Sequence, residues 1–342
     1  MSNEISVEFK IRKHLDHLGV VGFGWTKLNR PLSMELYSSW IKDNQHLDME
    51  YLKNHKEQKE NPKKYHKAIS AIALTISYNP HPWPKRNMKN QIALYAQAND
   101  YHLEIPKLLE PILFKLRSEF PNESFEVFTD SAPVLERDLA YRAGLGWIGK
   151  NTCLINKKAG SLFFLAEIYT TLSLENSSPW SSDFCGTCNR CIEACPTEAL
   201  TNDRKLLPKR CISYWTIEAK TIPPIELRKS IGDWLFGCDI CQTVCPWNKK
   251  HLIEKIQLTK PSEESRIAEL KWILSTSRKS LARELSSSPL ARVAGWKLQR
   301  NAIIVATNNG FKELIPFIQS LSQDNKLSEL VSWSIQQFES LI

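Results

Sequence analysis

The chain has no apolar run of the eighteen or more residues that a membrane-spanning helix requires. Its longest apolar stretches, such as Ser161 to Ile168, suit a buried strand. The N-terminus, MSNEISVEFKIRKHL, is polar and lacks the apolar core of a secretory signal. Nucleotide fingerprints are missing too. Gly22-Phe23-Gly24 has no third glycine at the offset a dinucleotide turn needs, and there is no phosphate-binding P-loop. Cysteine is nearly absent outside one window: of nine, only Cys153 lies outside Cys185 to Cys245. These absences predict a cytoplasmic protein with free thiols rather than disulfides.

Within that window the spacing is informative. Cys185-x2-Cys188-x2-Cys191-x3-Cys195-Pro196 is a complete ferredoxin-type run, and Cys238-x2-Cys241-x3-Cys245-Pro246 is a truncated one. In two-cluster ferredoxins the fourth cysteine of each run ligates the other cluster. One cluster then takes Cys185, Cys188, Cys191 and Cys245. The other takes Cys238, Cys241 and Cys195, and lacks a thiolate because Leu235 stands where the run would supply it. Cys211 is the better replacement, and Cys153 is the other candidate. A zinc site would favour four-ligand sets without this interleaving. Pro196 is expected to open a short helix over 197–200.

A length of 342 residues predicts two to three domains. Residues 1–172 read as mixed α/β, with helices over Glu8 to Leu18 and Ile105 to Glu119 and strands near 71–78, 125–129 and 162–171. Asn79-Pro80-His81-Pro82-Trp83-Pro84 marks an irregular loop. Residues 173–258 hold the cysteine runs. Residues 259–342 look all-helical, with Ser288-Pro289 opening one helix and Asn308-Asn309-Gly310 closing the next. They suggest a short HEAT-like array or a plain helical cap. The net charge is +8. Between Lys271 and Arg300 seven basic residues face only Glu284, a block suited to a phosphate backbone or to a solvated surface.

The densest polar segment runs from Phe128 through Asp130 to Thr152. Asp130 follows a strand and precedes Pro133, which places its carboxylate at a loop mouth. If burial raised its pKa it could donate a proton; the plainer role is a turn or helix cap. Gly144, Gly146 and Gly149 are expected to let backbone approach a ligand.

The segment DSAPVLERDLAYRAGLGWIGKNT, the cysteine runs, Cys211-Ile212-Ser213-Tyr214-Trp215-Thr216-Ile217-Glu218, Asp100-Tyr101-His102 and the helical tail together resemble the epoxyqueuosine reductase family. The resemblance covers essentially the whole chain. It implies an oxidoreductase for the last step of queuosine biosynthesis. The fold implied is α+β: a reductive-dehalogenase-like cobalamin-binding core (1–172), an inserted two-[4Fe–4S] ferredoxin-like domain (173–258) and a HEAT-like tRNA-binding domain (259–342). The cofactors implied are two [4Fe–4S] clusters and cob(II)alamin, reduced to cob(I)alamin for epoxide opening. Asp130 is then the proton donor. Lys59, Asp130, Leu154, Ser213, Cys238 and Asp239 line cobalamin, Lys59 standing where the family commonly has Arg. Cys211 becomes the eighth cluster ligand. Asp100-x-His102 begins the motif by which other cobalamin enzymes give cobalt a histidine, but Ile105 breaks it, so no protein histidine is expected on the metal. Glu218, Arg292, Lys297 and Arg300 are expected to contact tRNA with a GUN anticodon. The protein is expected to be a monomer fed by an external low-potential electron donor, with no membrane partner. A reductive dehalogenase acting on a small molecule is the alternative.

Overall fold

The computed structural model describes residues 10–11, 13–15, 19–78, 87–130, 132–179, 182–255 and 261–340. A four-stranded sheet organises the N-terminal half. Its strands are β1 (Val20–Lys27), β2 (Ser70–Ser77), β4 (Phe125–Phe128) and β7 (Phe163–Thr170), in the order β1-β2-β7-β4 with every neighbour antiparallel. Short pairs complete the strands: β3 (Gln91–Ile92) runs parallel to β8 (Trp234–Phe236), and β5 (Trp147–Ile148) pairs with β6 (Leu154–Ile155).

The near-continuous apolar run of β2 is explained by cover on both faces. Ile72, Leu74 and Ile76 pack with Ile105, Leu109 and Leu113 of the Tyr101–Glu119 helix. The alternate residues Ala71 and Ala73 face the Glu136–Arg142 helix through Leu139 and Ala140. Each large aliphatic buried this way contributes about 1.5–3 kcal/mol. β1 gave no alternating signal because glycine interrupts it. Gly24 is needed there, since a β-carbon would sit 2.0 Å from the Ala143 carbonyl oxygen.

The expected strands and the 105–119 helix form, the helix starting earlier at Tyr101 with Asp100 as its cap. Of the expected 8–18 helix, the described residues 10–11 and 13–15 are helical; the rest, and the loop at 79–84, lie outside the described residues. No helix forms over 197–200. Glu198 takes a left-handed φ of 50°, and the Ala199 amide turns back to donate to Cys195 Sγ at 3.2 Å.

The tail contains helices Glu263–Ser275, Arg278–Glu284, Trp296–Asn308, Ile315–Gln319 and Ser328–Glu339. Pro289–Val293 is a 3-10 turn rather than the start of an α-helix, which begins after Gly295; Gly310 follows the helix end as expected. One hydrophobic core runs from Ile92 through Ile212, Trp215 and Leu235 into Leu270, Ile303 and Phe338. The helical tail therefore shares its interior with the cysteine segment.

Candidate active site

The cysteines lie close to one another along the two runs, and Cys153 is the first charged neighbour of Cys241, ahead of Cys238 and Cys211. Cys191 feels the charge of Cys185 and Cys245, and Cys245 that of Cys185 and Cys188. Cys238 is influenced by Cys211 and Cys195, Cys241 by Cys238 and Cys211, and Cys211 by Cys195. Backbone amides aim at these sulfurs: Ser213 and Tyr214 at Cys211, Ile240 at Cys238, Trp247 and Asn248 at Cys245. Such amides stabilise bound thiolate and tune cluster potential. Eight thiols in two ferredoxin-type runs and Cys211, several with backbone amides aimed at the sulfur, fit two [4Fe–4S] clusters. Cys153 stands near Cys241, Cys245 and Cys191, with its thiol pointed at the Asn151 carbonyl (3.7 Å). Burial pushes it up to about 12.

Asp130 lies just beyond β4 in a left-handed conformation (φ 50°). Its amide donates to Glu136 Oε1 (2.5 Å). One oxygen, Oδ2, accepts from the Tyr101 hydroxyl (2.5 Å) and from His102 Nε2 (3.1 Å). His102 Nδ1 is bonded to Asp100 Oδ1 at 2.7 Å. Burial pushes the Asp130 carboxyl up, but the bonds from His102 and Tyr101 outweigh it and hold the group below its usual range. The condition under which burial alone would make Asp130 a proton donor is therefore not met. The proton sits instead on His102, which Asp100 and then Asp130 raise to about 9. Behind the loop, burial and the Asp130 charge push Glu136 up. Glu167 on β7 is 0% exposed, and its carboxyl faces that of Glu136 as a hydrogen-bonding neighbour. Burial, with Glu136 as its charged neighbour, holds it in the neutral form.

The other expected residues divide. Cys238 and Asp239 follow β8. Asp239 is 2% exposed, accepts from the Leu94 amide (2.6 Å) and from Gln242 (3.2 Å), and is pushed up to about 6 by burial. The neighbouring Tyr95 ring meets Tyr101 at 6.0 Å, linking this wall to Asp130. Leu154 is buried on β6, and Ser213 precedes a π-helical turn, Tyr214–Glu218. Lys59 is buried; its ammonium donates to the Tyr37 hydroxyl (2.9 Å) and the Leu52 carbonyl (3.0 Å).

Arg292 is exposed, pairs with Glu218 (2.9 Å), lies over the Tyr51 ring (5.2 Å) and acts on Asp130. Sequence reasoning missed Tyr51, which carries no motif. Arg300 is a correction. It is 0% exposed and donates to the carbonyls of Ala219, Thr221 and Trp215, so it cannot reach RNA. Burial lowers it to about 9. Lys297 likewise spends its ammonium on the Ile217 and Glu218 carbonyls (3.0 and 2.9 Å). Two of the three glycines admit close approach of protein backbone, and a β-carbon on Gly149 would meet the Ile155 and Asn151 side chains. A β-carbon on Gly146 would stand 2.1 Å from the Ile155 carbonyl, and one on Gly144 2.6 Å from that of Ser178.

Two ferredoxin-type cysteine runs together with an Asp100–His102–Asp130 hydrogen-bonded chain define a class: an iron–sulfur oxidoreductase. Comparison with known proteins agrees. Residues 184–248 match the 4Fe-4S double cluster binding domain, and residues 60–131 match the epoxyqueuosine reductase QueG domain. The epoxyqueuosine reductase of Pseudomonas aeruginosa is 34% identical over 309 residues, covering 87% of this chain and 85% of that one. That of Cyclobacterium marinum is 43% identical over 217 residues, 62% of this chain and 69% of that one. A crystal structure of selenomethionine-labelled epoxyqueuosine reductase superposes with a TM-score of 0.83 at 26% identity, over 98% of this chain and 91% of that one. Another, with an epoxyqueuosine-modified tRNA-Tyr stem loop, gives 0.81 at 26% identity and the same coverage. The chain belongs to the epoxyqueuosine reductase family.

Proposed function

We propose that this protein removes the epoxide oxygen of epoxyqueuosine at the wobble position of tRNA with a GUN anticodon, giving queuosine and water. The observation that carries this reading is Asp130, half-exposed and hydrogen-bonded to a charged His102, in a family member with two complete cysteine quartets. The family's cobalamin fits the pocket's chemistry. Both nitrogens of His102 are committed to carboxylates, so no imidazole is offered to cobalt from there. Leu154, Ser213, Cys238 and Asp239 would hold the corrin, whereas the Lys59 ammonium is committed to Tyr37 and the Leu52 carbonyl and is not offered to it. When bound, cobalamin and the two clusters supply the two low-potential electrons that C–O cleavage consumes.

The chain's own residues do the rest. Tyr101 and His102 hold the Asp130 carboxylate in place through Oδ2. At rest the transferable proton is on His102 Nε2. A substrate that displaces water from Asp130 removes solvation from its charge and raises its pKa. The proton then passes from Nε2 to Oδ2 and on to the epoxide oxygen, and Asp100 stabilises the imidazolium until that moment. Arg292 and Tyr51 offer a cation and an exposed ring at the rim, the means by which a splayed loop base is held. The protein is read as a cytoplasmic monomer supplied by an external donor; no helix among the described residues is long and apolar enough to cross a membrane.

The test uses anaerobically reconstituted protein with cobalamin, a reductant and a stem loop carrying epoxyqueuosine. Mass spectrometry of the released nucleosides should show loss of one oxygen atom. A fully loaded protein that leaves the nucleoside intact yet dehalogenates a small organohalide would move the reading to the dehalogenase alternative.

A further inference from the structure

The two quartets differ in what covers them. The Cys211 group lies under β8 and the π-helical turn, and connects through Asp239, Leu94 and Tyr95 to the Asp130 pocket. The Cys185 group lies at the other end. Phe184, Gly186, Thr187 and Arg190 around it are exposed. Trp147, Trp247 and Phe184 meet one another in tilted and edge-to-face contacts at 5.0–6.0 Å, and the two Trp rings pack on Cys185 and Cys245.

Three segments bring cations to this face. The Lys157 ammonium stands over the Phe184 ring at 5.0 Å. His251 Nε2 bonds the Lys158 carbonyl (2.8 Å), which ties the Lys249–Lys255 helix to the same turn. Lys150 reaches Asn189, the residue before Arg190 (2.8 Å). Asp183, beside Cys185, is neutralised by Arg204 and accepts the Cys185 amide. Among the described residues Lys157, Lys158 and Lys249 form no ion pair, and all three are exposed.

We propose that the face around Phe184, bearing Lys157, Lys158, Arg190 and Lys249, docks a small acidic protein that carries a low-potential one-electron centre. It rests on the reductase reading above. Lysines free of acid partners attract such a carrier over a distance set by ionic strength, and Phe184 gives the encounter an apolar centre a short way from the outer thiols. Each encounter oxidises the carrier by one electron and reduces the outer cluster by one. Two encounters and two protons balance one epoxide converted to alkene and water. The attraction governs on-rate, and contacts of this kind are small and transient.

The experiment compares holoenzyme with the double variant Lys157→Glu/Lys158→Glu and with Lys249→Glu; Lys326→Glu, on the tail, is the control. Cluster reduction is followed by visible absorbance, without tRNA, using a reduced acidic flavodoxin in one arm and a reduced acidic ferredoxin in another. A third arm uses photoreduced deazaflavin, a small reductant. The double variant should slow carrier-driven reduction by about tenfold or more at low salt, with the gap narrowing as salt is raised. Reduction by deazaflavin, iron content and stem-loop affinity should stay at wild-type values, and the arm with the stronger salt dependence identifies the carrier type. Unchanged carrier rates overturn the proposal. So does a loss of stem-loop affinity with carrier rates intact, which makes the face an RNA surface. Because reduction is read without tRNA, the result is independent of whether epoxyqueuosine is the substrate.

Discussion

Seven of the eight quartet cysteines come from two short runs, Cys185 to Cys195 and Cys238 to Cys245, whereas the Asp130 pocket is assembled from distant segments. Asp100, Tyr101 and His102 come from one helix start, Glu136 from another, Tyr51 from the region before β2 and Arg292 from the tail. The thiol site is set by local spacing, because each tight loop presents its own sulfurs. The proton site is set by long-range packing of the sheet against its helices. Its charge state follows from that packing: the neighbours, not burial, decide that Asp130 is ionised and His102 protonated.

The largest expected effect tests the thiol half. Wild type should hold about eight irons per chain, and Cys211→Ala should lose about half of them, whereas Cys153→Ala should keep them all, as read by iron and sulfide analysis. Iron loss in Cys153→Ala with retention in Cys211→Ala would reverse the assignment. On the proton half, Asp130→Asn should keep clusters and cobalamin but lower single turnover by about 10²–10⁴-fold. Near-normal rates in a loaded variant would reduce Asp130 to a loop cap.

Next comes the contrast within the basic tail. Arg300→Leu leaves the carbonyls of Ala219, Thr221 and Trp215 without their donor and should destabilise by about 2–4 kcal/mol in denaturant melts. Arg292→Ala should leave stability nearly unchanged and weaken stem-loop binding, with a salt slope flatter by about 0.7–0.9. If Arg300→Leu melted like wild type, its burial would be without structural weight.

The smallest effect is on pH. The folded pKa of His102, about 9, lies above the ordinary value of about 6.5. Its pairing therefore contributes stability that is complete below about pH 6.5 and is lost as pH rises through about 9. Melting temperatures of wild type and His102→Gln should differ at pH 6 and converge above pH 9, and wild-type turnover should fall over the same range. A constant gap across pH would mean that His102 acts by packing alone.

Much of this was legible in the sequence. β2, β4 and β7 announced themselves by apolar runs between turn residues, and a double-cluster segment was legible in the cysteine spacing. β1 was hidden because Gly24 answers to the Ala143 carbonyl at the end of the helix packed on the sheet rather than to its own neighbours in the chain. The basic block of the tail misled for a related reason. Charge density along a chain does not say which way a side chain points, and Arg300 and Lys297 turn inward to cap the carbonyls at the end of the π-helical turn.

By itself the sequence determined the family, the thiol inventory and the segment that carries Asp130, because spacing along the backbone constrains loops a few residues long. Only the tertiary structure decided the rest. It chose which cations are buried and which face solvent, and joined Tyr51 and Arg292 to the pocket. It also put the proton on His102 rather than on Asp130. Electrostatic free energy depends on distance and solvation in space, and neither is written in the order of the residues.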